Sequence, residues 1–113
     1  MWRDGNDKID EVFAGIDKIE KFPTKCPVCG QKGGHICMQI HNEASRRGGL
    51  WIWCSACGSF SHCAVCVPEY WENCSVVEVE KLCAIPEYLD GIKDALDQHA
   101  NAMLGKISKA EYN

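Results

Sequence analysis

Cys26-Pro27-Val28-Cys29-Gly30 and Cys54-Ser55-Ala56-Cys57-Gly58 are two copies of one pattern, with 24 residues between the cysteine pairs. Each pair can offer two thiolates from a tight turn, and two such pairs at this distance assemble the tetrahedral four-sulfur site that zinc takes. Glycine after the second cysteine allows a positive φ, which aims backbone amides at the sulfurs. The gap is also what a hairpin needs to leave one pair, reverse at Gly48-Gly49, and deliver the other. Buried inert thiols are the alternative reading of the same spacing. A set of four cysteines leaves no ligand position for water, so the expected metal is structural and hydrolysis at it is not expected.

Such a staple suits a chain of 113 residues, which can build only a modest core. The chain has nine cysteines, an odd number, and no apolar run of the kind a secretory leader needs near its start. A reducing cytoplasm is therefore expected, with free thiols rather than disulfides. No stretch approaches the ~18 apolar residues of a membrane span. Of the five cysteines left over, Cys63-Ala64-Val65-Cys66 is a third pair that could hold a second zinc with Cys74, Cys83 or His62. No glycine knuckle follows it, and packing is the preferred reading for Cys37, Cys63, Cys66, Cys74 and Cys83.

The chain reads as one α+β domain: a small antiparallel sheet of three to four strands, flanked by an N-terminal helix and a longer C-terminal one. Ile9, Val12, Phe13, Ile16 and Ile19 recur at helical spacing within residues 1–22, with Asp7 or Asn6 as the cap and Pro23 as the stop. Residues 23–66 have strand texture, His35–His41 facing Leu50–Cys54 across Arg46-Arg47-Gly48-Gly49, with a third strand near Ser59–Val65. Residues 67–85 comprise a proline-initiated turn, Val67-Pro68-Glu69-Tyr70-Trp71, and a short strand suggested by the alternation in Ser75–Leu82. A helix from Pro86 over 86–109 places Tyr88, Ile92, Leu96, His99, Met103 and Ile107 on one side, and a stripe of Glu87, Asp90, Asp94 and Asp97 on the other.

The two knuckles resemble those of the zinc-ribbon families, which crown a three-stranded antiparallel sheet; the resemblance covers about residues 24–66. A longer run, Gly49-Leu50-Trp51-Ile52-Trp53-Cys54-Ser55-Ala56-Cys57 with His62 and Val67-Pro68-Glu69-Tyr70-Trp71, resembles a group of small bacterial zinc-ribbon proteins associated with polymorphic-toxin immunity. It implies a binding protein that neutralises a toxin. Cys63 and Cys66 are not part of that pattern. His62 is, and is expected to fill the sheet rather than bond a thiolate.

Charge divides the chain. Residues 21–66 carry a formal +4, residues 1–20 carry −3 and residues 67–113 carry −5. The leading expectation is a non-enzymatic protein that presents the acidic helix face (Glu87, Asp90, Asp94, Asp97) and nearby aromatic surface to a protein partner, where complementary charge speeds encounter. The alternative is a nucleic-acid-binding ribbon, with Arg46 and Arg47 on phosphate and Trp51 and Trp53 stacking bases. An acidic chain of pI near 5.5 argues against it, and the tryptophans can instead pack the sheet against a helix. His35, His41, His62 and His99 have no spacing that sets up a nucleophile and base, so no enzyme is expected.

Overall fold

The computed structural model describes residues 2–4 and 7–111. Its centre is an antiparallel sheet of three strands in sequence order: β1 (Gly34–Asn42), β2 (Arg47–Cys54) and β3 (Phe60–Cys66). Short helices flank it: α1 (Glu11–Ala14), α2 (Glu87–Gly91) and the long α3 (Lys93–Glu111). No helix among the described residues is long and apolar enough to cross a membrane.

Both faces of the sheet are covered, which is why β1 and β2 are buried at nearly every position instead of alternating. Even-numbered residues Ile36, Met38, Ile40, Leu50 and Ile52 meet Ile9, Val12 and Ile16 from the N-terminal turns, and Ala100, Met103 and Leu104 from α3. Odd-numbered residues Cys37, Trp51 and Trp53, with Phe60, meet Leu89 of α2, Leu96 of α3 and the connection through Val77 and Leu82. α3 thus runs past the outer edge of β1 and contributes to both layers, as a domain built of packed layers requires.

The antiparallel ribbon is as expected, but four local readings are corrected. The hairpin reverses at Glu43–Arg46, not at Gly48-Gly49, with Arg46 taking the left-handed conformation (φ 58°) before β2 starts. Gly48 and Gly49 lie inside β2 opposite Ile40 and Gln39, and a Cβ on Gly48 would stand 1.9 Å from the Gln39 carbonyl oxygen. Glycine is there for close backbone approach, which in sequence looks the same as a turn. Ser75–Leu82 forms no strand: it is a turn followed by a 3₁₀ turn at Val79–Lys81, with Val76 and Val79 exposed. Neither flanking helix is continuous. The N-terminal one breaks at Gly15 into a 3₁₀ turn (Asp7–Asp10), α1 and a second 3₁₀ turn (Ile16–Lys18), and ends five residues before Pro23. Asn6, the alternative cap, lies outside the described residues. The C-terminal one breaks at Ile92, between α2 and α3.

Side chains close the loops. Arg46 donates from Nε to the Val67 carbonyl and from Nη2 to those of Pro68 and Trp71, which fixes the Val67–Trp71 turn to the hairpin. Asn73 both accepts from the Ile40 N–H and donates to its carbonyl, and Asn101 does the same for Phe22.

The two kinds of glycine can be separated by experiment. Gly48→Ala is expected to cost about 3 kcal/mol or more, since β1 and β2 must separate to admit the methyl group. Gly105→Ala, in α3 with open space around the new Cβ, should instead stabilise by about 0.5–1 kcal/mol. Urea denaturation of the two variants checks both signs.

Candidate metal centre

The two knuckles are built alike. In the first, Gly30 N–H donates to the Cys26 carbonyl; in the second, Gly58 N–H donates to the Cys54 carbonyl. Both glycines have φ of 80°, as the repeated Cys-x-x-Cys-Gly pattern requires. Gly33, at the start of the hairpin, accepts from Ser55 N–H and lies against the second knuckle, which brings the two turns together at the foot of β1 and β2.

The four sulfurs of Cys26, Cys29, Cys54 and Cys57 all lie within 4.8 Å of one another. Cys26 Sγ is 3.8 Å from Cys57 Sγ, and Cys29 Sγ is 3.7 Å from Cys54 Sγ. A tetrahedron with metal–sulfur bonds of ~2.3 Å has edges of about 3.8 Å, so the donor set fits a single ion. These separations are far beyond the ~2.05 Å of a disulfide, and all nine cysteines are free thiols. The Val28 N–H lies 3.3 Å from Cys26 Sγ, positioned to support a thiolate.

Protonation differs around the site. Burial pushes the Cys54 thiol up to about 12 and raises that of Cys26. At Cys57 burial also raises, but hydrogen bonding with the Ser59 hydroxyl and N–H outweighs it together with contacts to Cys54 and Cys26, and the thiol falls to about 7. Protons held on Cys54 and Cys26 must leave when a cation binds.

The third cysteine pair is not brought into any cluster. Among the described residues, the four knuckle cysteines are the one group close enough to hold a metal. Cys63, Cys66 and Cys83 are exposed, which corrects the expectation that they pack; Cys37 is buried, its thiol pushed up to about 12 by burial and by Cys74. His62 stacks on Trp51 at 4.5 Å and touches no ligand sulfur.

The acidic stripe is divided rather than displayed. Glu87 and Asp94 are exposed, but Asp97 is buried, 8% exposed, and its Oδ1 lies 2.7 Å from His35 Nδ1. His35 Nε2 lies 2.8 Å from Ser55 Oγ, and the Ser55 hydroxyl donates to Asp90 Oδ1, which also accepts from Trp53 Nε1 at 3.2 Å. The order Asp97–His35–Ser55–Asp90 therefore connects α3, β1, the second knuckle and α2. Sequence reading missed it because the pairs are 62, 20 and 35 residues apart. A signal was present: adding Ala100 and Leu104 to the apolar side of the helix rotates it toward Asp97.

The residues of the nucleic-acid reading are engaged internally. Trp51 and Trp53 are 3% and 0% exposed, and Trp51 Nε1 donates to the Cys83 carbonyl. Buried indoles cannot stack a base, and the Arg46 guanidinium is spent on three carbonyls; Arg47 alone is exposed. No protein-family model, curated protein or solved structure matches the chain.

If Asp97 belongs to the interior, Asp97→Ala should cost about 2–4 kcal/mol in urea denaturation, because it strands the buried His35 ring. Asp94→Ala, one helical turn earlier and exposed, should stay within about 0.5 kcal/mol of wild type.

Proposed function

We propose that the chain is a zinc-binding protein whose metal is structural. The observation that carries this reading is the four-sulfur cluster, whose edges suit tetrahedral zinc and whose ligand set is complete. In small finger peptides the apparent zinc binding energy is about 10–16 kcal/mol, comparable with the whole stability of a domain this size. Zinc would draw protons from the buried thiols, lock the knuckles together and so fix the register of the hairpin that starts and ends on them.

A non-enzymatic role is supported by the direction of one proton. Aspartate, histidine and serine stand in the order of a catalytic triad, but the Ser55 hydroxyl donates to Asp90, so His35 does not receive that proton as a base would. The network ties helices to the knuckle instead.

A role in binding a protein partner is supported by the surface beside α2. Val76, Val79 and Ile85 are 48–52% exposed and lie in one connection together with exposed Glu78 and Glu80. That connection is held against α2 by the Glu78 N–H on the Tyr88 hydroxyl, next to exposed Glu87. Apolar groups rimmed by carboxylates suit a basic partner with apolar anchors. Neutralisation of a bacterial toxin in the cytoplasm is the specific form that the zinc-ribbon resemblance suggests. The acidic surface in this version is Glu80, Glu87 and Asp94, without Asp90 and Asp97.

Native mass spectrometry should find one zinc per chain. Cys54→Ser should lose the metal and the fold together, whereas the double change Cys63→Ser, Cys66→Ser should keep both; a chain folded without metal overturns the reading. For the partner, products of neighbouring genes captured by the zinc-loaded protein should lose affinity by about tenfold or more when Glu80, Glu87 and Asp94 become lysine. Unchanged affinity overturns that surface.

A further inference from the structure

The two edges of the sheet are treated very differently. In an antiparallel strand the N–H and C=O of one residue point to the same side, so alternate residues face the neighbouring strand and the open edge. On β1 several of the outward groups are closed: Gly34 pairs with Thr24, the Met38 carbonyl accepts from Trp71 Nε1, and both groups of Ile40 are held by Asn73. α3 lies along the same edge.

On β3 the Phe60 N–H donates outward to the Arg3 carbonyl, and the Val67 N–H turns inward to Arg46, so the even-numbered residues face out. Beyond Phe60 these are His62, Ala64 and Cys66, all exposed, and none of their outward backbone groups has a partner among the described residues. Nor does β3 carry the usual guards of an open edge. Its sequence Phe-Ser-His-Cys-Ala-Val-Cys contains no lysine, carboxylate or proline, and its register with β2 runs without a bulge from Phe60 to Cys66.

We propose that β3 pairs antiparallel with β3 of a second copy of this chain, about a two-fold axis at Ala64, to make a continuous sheet of two such three-stranded halves. The register follows from which groups are free. Pairing Ala64 with Ala64 of the copy, and His62 with Cys66 in both directions, uses all three outward residues of each strand and leaves Phe60 with Arg3. Moving the axis to residue 63 would demand the Phe60 groups, and moving it to residue 65 would leave His62 unpaired. The uncharged strand meets itself without like-charge repulsion, and the smallest side chain of the three sits on the axis, as a self-complementary two-fold contact needs.

The orientation of Ala64 supplies a clean test. Its N–H points away from β2, so Ala64→Pro removes a donor that the β2–β3 ladder does not use, the position at which a strand tolerates proline. Sedimentation of the zinc-loaded full chain under reducing conditions should show a monomer–dimer equilibrium that shifts with concentration. Ala64→Pro should leave monomer at every concentration, with the circular dichroism of wild type. If that variant does not fold, Ala64→Lys serves in its place, because it sets two ammonium groups against each other on the axis while keeping the N–H. A wild-type chain that stays monomeric at about 1 mM, the low-affinity end of specific association, overturns the proposal. So does a dimer that persists unchanged in whichever of the two variants folds.

Discussion

Four sulfurs drawn to within 4.8 Å of one another are the constraint on which the rest of the structure depends. Burial opposes ionising Cys54 and Cys26, so four thiols brought to one point call for a cation to hold them as thiolates. With a cation, the same burial strengthens its hold on the thiolates. The two knuckles then fix both ends of the β1–β2 hairpin, and β2 fixes β3. Everything else is laid on this ribbon: the N-terminal turns on one face, α2 and the Cys74–Leu82 connection on the other, and α3 along an edge.

What was legible in the sequence was what local chemistry dictates. Cysteine spacing with its glycines led to the metal centre, and the strand texture between and after the knuckles led to three antiparallel strands. Errors arose where one residue pattern serves two physical purposes. Gly48-Gly49 resembles a turn, but the glycines let the β2 backbone approach β1. The alternation of valine and glutamate over Ser75–Leu82 resembles a strand, yet no edge is available to pair it: β1 is closed by Asn73, Trp71 and α3. At the C-terminus, the pattern over 86–109 reads as a single continuous helix. The break at Ile92 and the contribution of Ala100 and Leu104 turn the buried side by enough to take Asp90 and Asp97 inward. Long-range polar contacts leave little mark in sequence, since any aspartate on a helix is first read as solvated.

Those aspartates also change the meaning of the charge distribution. A carboxylate within a packed layer is tolerated only with hydrogen-bonding partners, and both are supplied: the His35 ring for Asp97, and the Ser55 hydroxyl and the Trp53 indole for Asp90. The negative balance of the C-terminal third is therefore partly an internal quantity. Of the carboxylates left for solvent, Glu78, Glu80 and Glu87 lie on α2 and the connection before it, in the stretch that also exposes Val76, Val79 and Ile85.

Ser55 is the residue at which the two polar devices meet. It stands between Cys54 and Cys57 in the second knuckle, its N–H held by Gly33 and its hydroxyl by Asp90, with His35 on the other side. A knuckle that opened would move Ser55 and withdraw a partner from Asp90 and His35 at once, leaving polar groups buried in the layer that holds Trp53 and Leu89. Conversely, the docked helices hold Ser55 where the knuckle needs it. Metal site and helix packing are thus one cooperative unit, because the cost of an unpaired buried polar group makes the half-formed state worse than either the complete one or the open one.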